Sequence, residues 1–178
     1  MKINKTNLIL KQGDITQENV DVIVNAANSG LHGGGGVDGA VHRAGGPAIM
    51  AECRLIRQQQ GGCPTGDAVI TTAGNLSAQN VVHTVGPVWS GGAQHESELL
   101  RSAYSKSLEL AAAHGAKTVA FPSISTGIYG FPVALAAPIA LGAAKEFVLQ
   151  NEQLTEIRFL LFSAEDLTVY EQALATLF

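Results

Sequence analysis

The chain has 178 residues, and its 11 Lys and Arg against 15 Asp and Glu give a formal net charge of −4 at pH 7. Hydrophobic residues make up 46% of the sequence and charged residues 15%, so the chain can bury the core of one domain, which excludes intrinsic disorder. The acidic balance disfavours a general binder of nucleic acid or anionic membranes, because clustered Lys and Arg hold such phosphates. Glycine is over-represented, with 20 residues, and its clustering indicates that loop backbone takes part in the chemistry.

The cysteines and the lengths of the apolar segments predict a cytoplasmic protein. Cys53 and Cys63 form no CxxC pair, which favours a reducing compartment. The apolar run near the N-terminus is too short for a signal peptide. The longest weakly polar stretch, Phe131 to Ala144, spans about 14 residues, whereas a membrane span needs about 20. We expect a cytoplasmic protein without membrane contact. No linker, charge block or repeat divides the sequence, so we expect a single domain over residues 1–178, and we expect it to be a monomer.

Segments with strand-like and helix-like patterns alternate along the chain. The predicted strands, in chain order, are Leu8 to Lys11, Val20 to Asn25, Ala68 to Thr72, Val81 to Val85, Lys117 to Phe121 and Glu156 to Phe162. The predicted helices, in chain order, are Val37 to Ala44, Pro47 to Gln60, Glu96 to His114, Pro132 to Gln150 and Leu167 to Phe178. This alternation predicts an α/β fold with helices on both faces of a sheet. Ligands in such folds bind beyond the carboxyl ends of the strands.

A glycine-rich loop follows the second predicted strand. Its four consecutive glycines, Gly33 to Gly36, directly precede the helix predicted at Val37. Backbone N–H groups that no side chain screens, at a helix start whose dipole favours negative charge, predict a phosphate site without Lys or Arg. Gly34 to Gly39 also matches GxGxxG, but the strand ends too far upstream for the dinucleotide fingerprint. A flexible surface loop is the alternative.

A second loop, Phe121 to Pro132, also ends at a predicted helix start. Its small hydroxyl residues, its glycines and Tyr129 suit a loop that wraps another phosphate and packs a ring on a sugar. The alternative is a Gly/Pro turn with Tyr129 and Phe131 in the core. Together the two loops predict a pyrophosphate ligand.

Three polar residues in or near these loops are candidates for the chemistry. Asp38 could position or deprotonate a water, or could only stabilise the helix dipole. Asn28 could bind sugar hydroxyls through its amide, or could only form a turn. Asp14 could accept a hydrogen bond from an exocyclic amine, or could cap the next segment.

The sequence contains no motif for a metal site, a serine-hydrolase triad or a P-loop. The histidines and cysteines show no HExxH or CxxC spacing, and His83 is expected to be a satisfied histidine of the sheet. The absence of GxSxG leaves a serine-hydrolase triad without support, and the absence of a Walker A motif excludes NTP hydrolysis of the P-loop type. We expect neither a metal nor a cofactor.

Several ordered motifs are spread along the chain. They are GDIT at Gly13 to Thr16, VIVNAAN at Val22 to Asn28, GGGGVDG at Gly33 to Gly39 with His42 and Arg43, CPTG at Cys63 to Gly66, VHTVGP at Val82 to Pro87, and SISTGIYG at Ser123 to Gly130. In this order they resemble the macrodomain family, specifically the MacroD-type ADP-ribose hydrolases and their bacterial members. The resemblance implies a three-layer α/β/α sandwich around a mixed central sheet.

The resemblance also implies how ADP-ribose is bound. Asp14 would accept from the adenine amino group, the Ile15 N–H would donate to the ring, and Phe162 would cover the adenine. Backbone amides would hold the pyrophosphate, and those implied belong to Gly35, Gly36, Val37, Ser125, Thr126, Gly127 and Ile128. At the other end of the ligand, Tyr129 would pack against the distal ribose.

The implied catalytic residues are Asn28, which would bind the hydroxyls of the distal ribose, and Asp38, which would act as acid and base through water. Whether Asp38 or a substrate phosphate activates that water stays open. The implied activity is hydrolysis of the ester at the distal ribose. It would deacetylate O-acetyl-ADP-ribose and remove mono-ADP-ribose from acidic side chains of proteins.

A non-catalytic reader of ADP-ribose is the alternative function, and a carboxylate at Asp38 argues against it because a reader needs none beside the distal ribose. A third possibility is a regulator that acts through another protein, such as one of RNA metabolism, which the acidic composition neither supports nor excludes. The expected partners are therefore ADP-ribose, O-acetyl-ADP-ribose and mono-ADP-ribosylated proteins. Nucleic acid is not expected as a partner, except for ADP-ribosylated ends.

Overall fold

A computed structural model describes all residues, 1–178. The strands are β1 (Lys2–Ile3), β2 (Thr6–Gln12), β3 (Val22–Ala26), β4 (Ala68–Thr72), β5 (Asn80–Thr84), β6 (Thr118–Pro122) and β7 (Glu156–Leu161). The α-helices are α1 (Gly36–Gly45), α2 (Pro47–Gln60), α3 (Glu96–Ala113), α4 (Val133–Gln150) and α5 (Ala164–Leu177). A short 3₁₀ helix covers Ile15–Gln17.

All seven strands form one sheet in the order β1-β2-β7-β6-β3-β5-β4. The pairs at the two edges, β1 with β2 and β4 with β5, are antiparallel. The inner pairs are all parallel. The loops that follow β2, β3, β5, β6 and β7 therefore begin at the same end of the sheet, where this class of fold binds ligands.

Helices cover both faces of the sheet. Successive side chains of a strand point to opposite faces, and on β3 the residues Val22 and Val24 join one hydrophobic cluster while Ile23 joins the other. The first cluster contains residues of α3, α4 and α5, and the second contains residues of α1 and α2. The three-layer α/β/α sandwich with a mixed sheet is thus confirmed.

Helix α4 is long and apolar enough, by length and composition alone, to cross a membrane. In this fold its alanines Ala136, Ala137, Ala140 and Ala144 are fully buried in the larger hydrophobic cluster. Core helices of folded domains share the composition of membrane spans, because both are surrounded by apolar groups. One face of α4 therefore packs in the core, while Leu135 and Leu149 on the helix are exposed.

Each predicted strand and helix is present, although several ends differ. The strand predicted from Val20 begins at Val22, because the Asp21 carboxylate accepts hydrogen bonds from the N–H groups of Lys117 at 2.7 Å and Thr118 at 3.2 Å and holds this segment outside the ladder. Helix α5 begins three residues before the predicted Leu167, because Ser163 Oγ accepts from the Asp166 N–H at 3.1 Å and caps the helix. Strand β1 and the 3₁₀ helix were not predicted.

Candidate functional site

A cleft of about 850 Å³ lies where the loops after the parallel strands meet. Every residue predicted for the site lines this cleft: Asp14, Ile15, Asn28, Gly35, Gly36, Val37, Asp38, Ser125, Thr126, Gly127, Ile128, Tyr129 and Phe162. The topology explains this convergence, because β2, β3, β6 and β7 run parallel and deliver their following loops to one edge. The structure therefore brings together residues from four separate parts of the sequence.

The glycine loop presents unused N–H groups to the cleft. None of the N–H groups of residues 33–38 donates a hydrogen bond within the protein. No side chain caps α1, whose N-cap residue is Gly35, and Gly36 adopts a φ of +58°, a conformation that favours glycine. Strand β3 ends at Ala26, well before α1 begins at Gly36, so the tight turn of a dinucleotide fingerprint is absent.

The second loop has the same property. The N–H groups of residues 125–129 make no hydrogen bond within the protein. Ser125 is buried with a φ of +68°, and its Oγ has no partner; such strain in a non-glycine residue is typical of ligand-binding loops. Phe131 is buried in the core, as the turn alternative predicted, but Tyr129 lines the cleft.

One end of the cleft combines an aromatic ring with a carboxylate. Phe162 follows β7 and is 92% exposed. Asp14 Oδ1 accepts from the N–H of Thr16 at 2.9 Å and from its hydroxyl at 2.7 Å. The capping alternative for Asp14 is therefore present, although the residue also lines the cleft. The N–H of Ile15 is unused, so it is available to a ligand.

The other end of the cleft contains Asp38 and Asn28. Asp38 is 6% exposed and lies in the first turn of α1. Its Oδ1 accepts from Asn25 Nδ2 at 2.8 Å and lies 3.3 Å from His42 Nε2. A methyl group added at Gly34 would lie 3.7 Å from Asp38 Oδ2 and 3.9 Å from Asn28 Nδ2. The two predicted catalytic side chains therefore flank the same glycine.

Asn28 also closes the turn that leads into the glycine loop. Its Nδ2 donates to the carbonyl of Gly33 at 2.8 Å, and its Oδ1 accepts from the N–H of His32 at 3.1 Å. The turn alternative for Asn28 is therefore present. A primary amide has two hydrogens and two lone pairs, so one hydrogen and one lone pair stay free for a ligand.

Behind Asp38 lies a buried polar cluster that the sequence analysis missed. His83 is fully buried on β5, with Nδ1 at 3.1 Å from Asn25 Nδ2 and Nε2 at 2.9 Å from Thr71 Oγ1. Burial first, and the neighbouring His42 second, lower the pKa of His83 to about 3. The expectation of a satisfied sheet histidine is confirmed, because both ring nitrogens have partners.

The same region holds three potential metal ligands that linear spacing did not reveal. Ligand atoms of His42, Cys53 and His83 all lie within 4.8 Å of one another, although the residues belong to α1, α2 and β5. Their surroundings do not favour a metal. Burial raises the pKa of the Cys53 thiol to about 11, whereas a metal needs the thiolate, and hydrogen bonds occupy both nitrogens of His83.

The charged side chains that line the cleft are three carboxylates, Asp14, Asp38 and Asp166, and one cation, Arg43. No ion pair involves Arg43. An anionic ligand therefore has to be held mainly by the oriented N–H groups of the two loops, as the sequence predicted for an acidic protein.

A family model described as Macro domain matches residues 24–140. The match covers more than half of the chain. The chain belongs to the macro domain family. The matched segment begins within β3 and contains both glycine-bearing loops and the residues around Asp38, so it includes most of the cleft of this macrodomain.

Similar proteins agree with this assignment. The macrodomain is 57% identical over 169 residues to a macro domain-containing protein of Caldanaerobacter subterraneus subsp. tengcongensis, covering 95% of this chain and 96% of the relative. It is 55% identical over 170 residues to the O-acetyl-ADP-ribose deacetylase of Escherichia coli K12, covering 96% of each.

Two solved structures are similar along most of the chain. The Oceanobacillus iheyensis macrodomain with ADP is 41% identical, with a TM-score of 0.95, and the alignment covers 99% of this chain and 94% of that one. The Trypanosoma brucei macrodomain in complex with ADP-ribose is 38% identical, with a TM-score of 0.86, over 94% of this chain and 68% of that one.

Proposed function

We propose that this macrodomain binds ADP-ribose in the cleft and hydrolyses an ester at its distal ribose. The substrates are O-acetyl-ADP-ribose and mono-ADP-ribose attached to acidic side chains of proteins. One observation carries the proposal: two runs of residues with unused N–H groups, 34–38 and 125–129, line a cleft that also holds the side chains of Asp38 and Asn28. The similarity to bacterial proteins named O-acetyl-ADP-ribose deacetylase supports it.

Binding is explained by the polar groups that the protein leaves unpaired. The pyrophosphate is a dianion, and the two loops offer it preformed N–H groups together with the positive end of the α1 dipole. The adenine stacks on the exposed ring of Phe162 and receives a hydrogen bond from the Ile15 N–H. The distal ribose lies between Asn28, which binds its hydroxyls, and Tyr129.

Asp38 supplies the only carboxylate beside Asn28. Its Oδ1 is held by Asn25, so Oδ2, which faces Gly34, is the oxygen that meets a water. The carboxylate accepts a proton from that water as the water oxygen attacks the acyl carbon. The bond between the acyl carbon and the ribose oxygen breaks, the ribose oxygen takes up a proton, and the products are a carboxylic acid and ADP-ribose.

The test compares the wild type with Asp38→Asn, which keeps the size of the side chain but removes the proton acceptor. Each protein is incubated with O-acetyl-ADP-ribose and with a Glu-linked ADP-ribosylated protein. We expect the wild type to release ADP-ribose from both substrates and kcat of the variant to fall by about 10²-fold or more, while calorimetry gives a similar Kd for ADP-ribose. Glu109→Gln, an exposed position on α3, is the control for charge loss.

Each contrary result has a distinct meaning. Unchanged turnover by Asp38→Asn would assign water activation to the substrate phosphate or another group. Absence of ADP-ribose release by the wild type would make the protein a reader. Equal affinity for ADP-ribose and adenosine would show that the loops do not hold phosphate. The cytoplasmic location, the monomeric state and a partner in RNA metabolism stay predictions of the sequence.

A further inference from the structure

A chain of buried hydrogen bonds connects Asp38 with the interior of the sheet. Asp38 Oδ1 accepts from Asn25 Nδ2 at 2.8 Å, and the same nitrogen lies 3.1 Å from His83 Nδ1. His83 Nε2 lies 2.9 Å from Thr71 Oγ1. Asn25 and His83 are fully buried, and neither lines the cleft. The hydrogen bonds therefore connect His83 to Asp38 through Asn25.

The donors and acceptors in this chain allow one arrangement of protons. Asn25 Nδ2 can only donate, so its two hydrogens go to Asp38 Oδ1 and to His83 Nδ1. His83 Nδ1 is therefore unprotonated, and the ring hydrogen is on Nε2. That hydrogen is donated to Thr71 Oγ1, whose own hydroxyl donates to the carbonyl of Thr72 at 2.9 Å.

The orientation of the Asn25 amide is unfavourable for Asn25 itself. Its Oδ1 is buried and has no hydrogen-bond partner, which proteins rarely tolerate without a reason. The Thr71 hydroxyl already donates to Thr72, so His83 Nε2 carries the ring hydrogen and Nδ1 is an acceptor. Rotating the amide by 180° would then bring Oδ1 against Asp38 Oδ1 and His83 Nδ1, so that three acceptors would meet without a hydrogen. The acceptor nitrogen of His83 and the carboxylate of Asp38 thus jointly impose the observed orientation.

We propose that His83 is a positioning residue, which acts as the neutral Nε2–H tautomer and keeps the Asn25 amide hydrogens directed at the Asp38 carboxylate. The inference rests on the catalytic function proposed for Asp38. Asn25 then holds Oδ1 of Asp38 in place and leaves Oδ2 for the water. Because His83 stays neutral throughout the physiological range, it is a permanent support for Asp38 rather than a switch.

Three substitutions separate the two sides of the imidazole ring. In His83→Asn the side-chain oxygen can replace Nδ1 as the acceptor for Asn25. In His83→Gln the side-chain amide instead reaches the position of Nε2 beside Thr71. His83→Leu removes both groups. We expect His83→Asn to retain most of kcat for O-acetyl-ADP-ribose. In His83→Gln and His83→Leu kcat should fall by about tenfold or more, because a displaced catalytic group reacts slowly. KM and the Kd for ADP-ribose should change little in all three.

Ser107→Ala is the control for a general loss of stability. Ser107 is a fully buried residue of α3 whose hydroxyl donates to the carbonyl of Ala103 at 2.7 Å. Its removal should lower Tm without changing kcat. If kcat of the His83 variants instead follows their Tm, or if His83→Leu keeps the kcat of the wild type, His83 is only a structural residue and the proposal is wrong.

A spectroscopic measurement tests the same proposal without turnover. The ¹⁵N NMR spectrum of histidine-labelled protein should show His83 as the Nε2–H tautomer, and the Asn25 side-chain amide signals should be retained in His83→Asn and shifted in His83→Leu. A protonated Nδ1 would overturn the proposal. If the wild type fails to release ADP-ribose, the proposed function fails, while these spectra still decide whether His83 orients Asn25.

Discussion

Mild acid should destabilise this fold because His83 is buried in its neutral form. Burial lowers the pKa of His83 from 6.5 to about 3 in the folded protein, whereas the unfolded chain exposes it to water. Below pH 6.5 the unfolded state therefore binds a proton that the folded state does not. Stability that depends on neutral His83 is fully present above pH 6.5 and is lost progressively as the pH falls towards 3.

The size of the effect follows from the separation of the two pKa values. Each pH unit between them lowers the free energy of unfolding by about 1.4 kcal/mol. Between pH 7.5 and pH 5.0, His83 should therefore cost about 2 kcal/mol, a large share of the roughly 5–15 kcal/mol that stabilises an ordinary domain. His83→Asn removes the titrating group and should remove this contribution.

Urea unfolding at pH 7.5, 6.5, 5.5 and 5.0 measures the effect in both proteins. The variant starts from a lower stability at pH 7.5, because its bond to Thr71 is lost, so the comparison is between the two changes with pH. This pH range lies above the pKa of Glu96, so the titration of that carboxylate does not contribute. Burial raises the pKa of Glu96, but hydrogen bonds from the backbone N–H groups of Gly92, Ser90 and Gln94 outweigh this and hold the pKa below 4.5. Equal losses in the wild type and the variant would refute the reasoning.

Two further substitutions test the walls of the cleft. Phe162→Ala should weaken ADP-ribose binding by about 1–3 kcal/mol, the usual contribution of a ring stacked on a base, and should change stability by less than about 0.5 kcal/mol because the side chain is exposed. Gly86→Ala should lower stability by about 1–3 kcal/mol and weaken ADP-ribose binding, since the added methyl group would overlap Ser125 Oγ and the side chain of Ile124. Calorimetry and urea unfolding measure both.

Matched controls accompany these two variants. For Phe162→Ala the control ligand is ribose 5-phosphate, which has no adenine; an equal loss of affinity for this ligand would contradict the stacking role. For Gly86→Ala the control is Gly142→Ala, because a methyl group at this position in α4 meets no atom within 4 Å. Gly142→Ala should raise stability by up to about 1 kcal/mol and leave ADP-ribose affinity unchanged.

Most of the fold was predictable because local signals specify the elements. The β-branched run ending at Asn25 belongs to a buried strand of the sheet. The alanine-rich segment of α4 forms a helix that packs against the sheet. The differences arose where a distant group changed a boundary. Asp21 ends the ladder before Val22 by binding backbone groups next to β6, and this bond joins residues almost a hundred positions apart, which no local pattern reports.

In the candidate site too, some residues were predictable from local sequence and others were not. Residues that contribute backbone N–H groups were predictable, because the first N–H groups of a helix have no partner within the helix and glycines leave them unscreened. His83 was predicted to be a satisfied histidine, but its partners were not, because Asn25 and Thr71 lie on other strands. The grouping of His42 with Cys53 and His83 also requires α1 and α2 to pack on β5.

The unusual glycine content, the low charge and the alternating segments by themselves determined an α/β domain whose loops bind a small anion through their backbone. Those properties are local, since glycine clusters and helix starts depend on neighbours along the chain. The tertiary structure alone decided that Asp38 and Asn28 flank Gly34, and that Asn25 and His83 support Asp38 from behind. Such contacts depend on the order of the strands in the sheet, which brings residues that are distant in the sequence to within hydrogen-bond distance.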